Sequence, residues 1–440
     1  MNTPIRDFVA AYQAAQISRL HMPGHKGRGP LGCESMDITE IQGADALYEA
    51  AGVIAESERN ASALFDTRAT FYSTEGSTQC VKAMLFLALQ HRAGKERPFC
   101  LAGRNAHKAF LHAAALLDFD VTWLYPEEKS DLCACPITAE GLEKALSACE
   151  TLPFCVYVTS PDYLGGITDI GALSAVCHAK NVPLLVDNAH GAYLKFLPGR
   201  QHPMELGADI CCDSAHKTLP VLTGGAYLHV SKGALQPYER AAKAALSLFG
   251  STSPSYLILQ SLDCANEALA GDWPEKLEQL CLRLDAFKAR LRERGWQVLP
   301  GERAKLVLET DGDALCEKLS DHHIAWEFAD ARHMVLMFSP ENTEADFARL
   351  DHALATPLAA PPSAAPALAP LPRAMTIRQA IFAPAESIPV EKALGRICAA
   401  PAVSCPPAVP IVISGERLEE GAIRALQHYG AISLPVVRES

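Results

Sequence analysis

Between about residue 57 and residue 235, short apolar runs alternate with stretches of helical periodicity. The runs fall at 70–72, 99–102, 121–125, 154–159, 184–186, 210–212 and 226–230, and each is short, apolar and bounded by turn residues, as a buried strand should be. Strand and helix in alternation predict an α/β fold: a mainly parallel, seven-stranded sheet with helices on both faces. With the arm that precedes it, this large domain spans 1–240. A charged amphipathic helix over 275–295 and weak strands at 305–309 and 334–338 predict a smaller α/β domain over 241–356. The segment 357–372 is too rich in proline and alanine to continue either element, so it reads as a linker. A small C-terminal domain follows over 373–440, with an expected strand at 409–413.

Composition narrows the class. At 440 residues, 49% hydrophobic and 20% charged, the chain can build a large core, and no apolar run is long enough to span a bilayer. The first residues lack the charged and apolar regions of a signal peptide, which predicts a cytoplasmic protein. The 15 cysteines are scattered without a Cys-x-x-Cys pair, the pattern of reduced core thiols. A net charge of −12 with no Lys/Arg cluster opposes nucleic-acid binding.

Polar clusters follow several predicted strands, at 73–77, 159–162, 187–190 and 214–218. Parallel sheets bind ligands beyond the carboxyl ends of their strands, so these distant segments assemble one candidate site. Asp187 ends an apolar strand, and Lys217 lies beside small and polar groups. That pair suits pyridoxal phosphate: the acid keeps the pyridine nitrogen protonated and the lysine forms a Schiff base. Ser214 and His216 can hydrogen-bond a phosphate, next to a tight turn at 223–225. Gly76, Ser77 and Thr78 precede a helical stretch, where free amides either bind phosphate or belong to a simple cap. Asp187 can also be read as a helix N-cap, and His190, close by, as a core histidine. His107 either stacks on a flat cofactor ring or caps a helix. His21 and His25 lack third and fourth ligand candidates, so that segment predicts a shaped loop at a site or interface and no metal.

These motifs, with those at 21–27, 37–40, 52–56, 104–108, 159–161 and 415–417, resemble the fold-type-I pyridoxal-phosphate decarboxylases of ornithine, lysine and arginine over most of the chain. The resemblance implies the aspartate-aminotransferase fold, in a short form without the N-terminal domain of the long enzymes. It implies Lys217 as the Schiff-base lysine, Asp187 as the pyridinium partner, His107 as the stacking residue and His190 close to the ring. Ser77, Thr78, Ser214 and His216 would bind the phosphate, with Gly76 and Ser160 also lining the cofactor. Sites of this family lie at a dimer interface, so Thr252 and Ser253 would reach the phosphate of the neighbouring subunit in a homodimer. The implied reaction converts a basic amino acid to its amine and CO2, as in polyamine metabolism. An aminotransferase or another lyase of the same fold is the alternative, and a catalytically silent regulatory paralogue the second. The chain departs from the family pattern at Glu75, Cys405 and Ala408, near the substrate end.

Overall fold

The computed structural model describes residues 1–126, 131–358, 369–401 and 409–439. Seven strands form the large sheet: β1 (Ala69–Ser73), β2 (Phe99–Gly103), β3 (Asp120–Leu124), β4 (Val156–Thr159), β5 (Leu184–Asp187), β6 (Ile210–Asp213) and β7 (Ala226–Val230). Their order is β1-β7-β6-β5-β4-β2-β3. β4, β5 and β6 run parallel, as do β2 and β3, whereas β7 is antiparallel to both β6 and β1. Every residue of β5, β6 and β7 is buried. Burial on both faces explains why they appear in the sequence as continuous apolar runs without alternation. The expected strands lie within two residues of the observed ones, and the differences are at their ends.

Contacts divide the chain into two compact units. The first comprises Met1–Gly94, Phe154–Ser160 and Ile170–Lys276, and carries β1 and β4 to β7. Its N-terminal helix, Pro4–Ala14, is held by Asp263, whose Oδ2 accepts from the backbone N–H of Ile5 at 2.9 Å and of Arg6 at 3.0 Å. That carboxylate stands in for the carbonyls that the first turn of a helix lacks as partners.

The second unit comprises Lys95–Pro153, Pro161–Asp169 and Leu277–Ser440. Besides β2 and β3 it contains β8 (Gln297–Val298), β9 (Lys305–Glu309), β10 (Phe328–Ala329) and β11 (His333–Met337), an antiparallel sheet in the order β10-β11-β9-β8. β12 (Ala385–Pro389) pairs antiparallel with β13 (Ser433–Val437). The strand expected at 409–413 is not formed. Val409, Ile411, Val412 and Ile413 are all buried, so successive side chains do not alternate between core and solvent. Pro410 lacks an amide hydrogen, and the carbonyls of Pro410 and Ile411 accept from the guanidinium of Arg104 at 2.7 and 2.8 Å. An irregular segment can be buried when side chains satisfy its backbone in this way.

Candidate active site

β5 places Asp187 at its carboxyl end, in register with Thr159 of β4 and Cys212 of β6. The carboxylate is 3% exposed. Its Oδ2 accepts from the Tyr157 hydroxyl at 2.9 Å, and its Oδ1 from the Ala189 N–H at 3.2 Å and the Cys212 thiol at 3.6 Å. A turn follows β5, and the amide bonded to Asp187 belongs to that turn. Three donors keep the buried acid in place while its local environment holds no Lys or Arg bonded to it among the described contacts.

Lys217 sits in the short helix Ala215–Thr218, just past β6, and its side chain is exposed. Its Nζ lies 3.0 Å from Nε2 of buried His190, so a proton can pass between the two. The structure thus brings Lys217 and His190 together. Ser160 lies at the end of β4, with its N–H donating to the Asp187 carbonyl at 3.0 Å.

The helix Ser77–Gln90 begins at Gly76, and no side chain caps it. Gly76 has φ +69°, and a Cβ there would meet nothing within 4 Å, which leaves the approach to the helix N-terminus open. The Ser214 hydroxyl donates to that of Ser77 at 2.8 Å, tying the turn after β6 to this helix. Thr78 is exposed beside them. Nδ1 of His216 donates to the Gly225 carbonyl at 2.9 Å, and burial pushes the pKa of its ring below the ordinary histidine value.

His107 lies in the second compact unit, where it precedes the helix Lys108–Leu117 and its Nδ1 accepts from the Ala109 N–H at 3.1 Å. It therefore caps its helix. Thr252 and Ser253 are exposed before the helix Tyr256–Ala270. Nε2 of His25 lies 3.1 Å from Asp37, and that of His21 2.6 Å from the Tyr12 hydroxyl, which shape the loop between them. Glu75 is exposed next to the open helix end, whereas Cys405 and Ala408 lie outside the described residues.

Three neighbours of the site have no counterpart in the sequence reading: Tyr157 and Cys212, which bond Asp187, and Asp213, which ends β6. Asp213 carries the same signal as Asp187, an acid closing an apolar strand. Tyr157 carries none, because it is one apolar-strand residue among several.

The donor set fits pyridoxal phosphate. A buried acid closes one strand, an exposed lysine follows the next, and an uncapped helix end with two hydroxyls stands open for a phosphate.

A family profile described as "Orn/Lys/Arg decarboxylase, major domain" matches residues 3–340, and one described as "Orn/Lys/Arg decarboxylase, C-terminal domain" matches 363–433. Among curated proteins, an arginine decarboxylase of Bacillus subtilis is 28% identical over 475 residues, covering 99% of this chain and 95% of its own. An arginine decarboxylase of Halalkalibacterium halodurans is 26% identical, covering 99% and 94%. Among solved structures, the Escherichia coli constitutive lysine decarboxylase superposes with a TM-score of 0.80 at 18% identity, covering 99% of this chain and 82% of its own. The fold is therefore that of the fold-type-I enzymes.

Proposed function

We propose, from the fact that this chain belongs to the Orn/Lys/Arg decarboxylase family, that Lys217 carries the pyridoxal phosphate of an enzyme releasing CO2 from a basic amino acid. The observation that carries this reading is the pairing of an exposed lysine, 3.0 Å from His190, with a strand-end carboxylate buried under the Tyr157 hydroxyl.

Bound pyridoxal phosphate supplies an electrophilic aldehyde for the substrate amine and a ring that takes up the electron pair left when CO2 departs. Asp187 would hold the proton on the ring nitrogen, and Tyr157 fixes the orientation of that carboxylate. The N-terminus of the helix Ser77–Gln90, with Gly76, Ser77, Thr78, Ser214 and His216, would hold the phosphate, and Ser160 would line the same cradle. In its neutral form, with Nδ1–H given to Gly225, His216 offers only a lone pair at Nε2. A phosphate dianion there favours its protonated form, which can donate. His107 would cover the ring while its Nδ1 caps its helix. Nζ of Lys217 lies 3.0 Å from Nε2 of His190, and that pair would return a proton to the α-carbon.

Arginine is the favoured substrate, because four of the relatives matched along nearly their whole length are named arginine decarboxylases. The working unit is a homodimer. Thr252 and Ser253 are exposed where a second copy could use them, and the apolar side chains of Leu20, Met22 and Leu31 are 95%, 69% and 82% exposed. Exposed apolar groups so concentrated in one arm suit an interface. Among the described residues no helix is long and apolar enough to cross a membrane.

The test is CO2 release from arginine, lysine and ornithine by the holoenzyme. The expected result is release from one or more of them, fastest from arginine. Amine exchange that requires a keto acid, without CO2, would overturn the reading in favour of an aminotransferase.

A further inference from the structure

We propose that Asp213 is a positioning residue for this site, its buried carboxylate pinning the ends of β5 and β6 together so that Asp187 and Lys217 are presented in a fixed relation. The proposal rests on the reading of Lys217 and Asp187 given above.

Asp213 is 0% exposed, and it is bonded by side chains from three other segments. Asn188, the residue after Asp187, donates from Nδ2 to Oδ1 at 2.7 Å. His202 and His229 place their Nε2 atoms 3.0 and 3.1 Å from Oδ2. The backbone N–H of Met204 donates to Nδ1 of His202 at 3.3 Å, so that ring carries its hydrogen on Nε2 and gives it to Asp213. Nδ1 of His229 lies 2.9 Å from the Thr70 hydroxyl, which extends the network to β1. The ring of Phe65 packs against both imidazoles, at 5.5 and 4.5 Å between centroids.

The consequences reach the site by short covalent paths. Asn188 also donates its N–H to the Cys212 carbonyl at 2.9 Å, and Cys212 bonds Asp187. On the other side, Asp213 precedes Ser214, which bonds Ser77, and the helix that carries Lys217. Burial alone would raise the pKa of Asp213, but His202 and His229 outweigh it and hold the carboxyl well below the usual range. Well-packed apolar residues often replace buried ionic groups without loss of stability, so a polar hub at this place is better explained by the geometry it specifies.

Cys211 brings a thiol near His202 and Asp213, with donor atoms all within 4.8 Å of one another. A metal reading fails on the tautomer, because the Nε2 lone pair of His202 is not available while that atom carries hydrogen.

Asp213→Ala, Asp213→Asn and Asn188→Ala separate positioning from simple support of the fold. Each is measured as holoenzyme for cofactor dissociation by absorbance titration, for kcat and KM, for metal content and for melting by circular dichroism. Asp213→Ala is expected to raise the cofactor dissociation constant about tenfold and to lower kcat about 100-fold, with KM nearly unchanged. Asp213→Asn is expected to restore both. Oδ1 of Asn188 has no partner among the described residues, so its amide can turn to accept from the new amide while the imidazoles keep an oxygen. Wild-type cofactor affinity and kcat in Asp213→Ala, with only a lower melting temperature, would overturn the proposal, as would a stoichiometric metal lost in that variant. If Asp213→Ala does not fold, Asn188→Ala decides: a weaker cofactor complex supports the proposal and an unchanged one overturns it. A wild-type chain that binds no cofactor would sink the functional reading and this proposal together, whereas a normal wild type with normal variants sinks this proposal alone.

Discussion

Tyr157 donates its phenolic hydrogen to Oδ2 of Asp187 at 2.9 Å, and both side chains are buried. A hydrogen bond to a carboxylate in such a place is worth ~1.5–3 kcal/mol, so Tyr157→Phe should weaken cofactor binding about tenfold or more. The substitution removes one oxygen and leaves the ring's packing. Absorbance titration of the apoenzyme checks it, and unchanged affinity would show that Asp187 needs no orienting donor.

The hydroxyls of Ser77 and Ser214, 2.8 Å apart, form the second half of the cradle. Removing either in Ser77→Ala or Ser214→Ala should reduce affinity for the cofactor by roughly tenfold while leaving affinity for pyridoxal, which lacks the phosphate, nearly unchanged. Equal losses for both compounds would place the phosphate elsewhere.

How much of this was legible beforehand depended on whether the signal was local. Asp187 closes one apolar run and Lys217 follows shortly after another, and the strands expected there lie within two residues of the observed β5 and β6. Tyr157 and Asp213 gain their roles from partners that lie far away in sequence, brought beside them by strand register. His107 could be read as a cap or as a stacking group, and the Ala109 bond establishes the first of these. Segment 409–413 misled for a physical reason: a run of buried apolar residues looks like a strand even where Pro410 and a bonded guanidinium replace the ladder.

That guanidinium supplies a stability prediction. Arg104 is buried and satisfies two carbonyls, so Arg104→Ala leaves both without their charged donor and should lower unfolding stability by about 3 kcal/mol. Urea denaturation measures the loss. A change below about 0.5 kcal/mol, the range of ordinary surface substitutions, would contradict it.

Asp162 supplies the pH dependence. Burial is the main cause that lifts its carboxyl to about 6, although Oδ1 accepts from the Gly166 N–H at 2.8 Å. A raised pKa means that the folded state holds this proton more tightly than the unfolded chain does. The group's contribution therefore falls as pH climbs from its unfolded value, near 4, through 6. Relative to wild type, Asp162→Asn should gain stability as pH rises from 5 to 7, by roughly 1–2 kcal/mol. Thermal melts of both proteins across that range test the sign, and a difference that stays flat would refute the shift.

The account stands most directly on one covalent bond. The chain is saturated with pyridoxal phosphate, reduced with borohydride, digested and mapped by mass spectrometry. The predicted result is a single phosphopyridoxyl group on Lys217, absent from Lys217→Ala along with the yellow colour. A group on another lysine, or none at all on a folded chain, would contradict it.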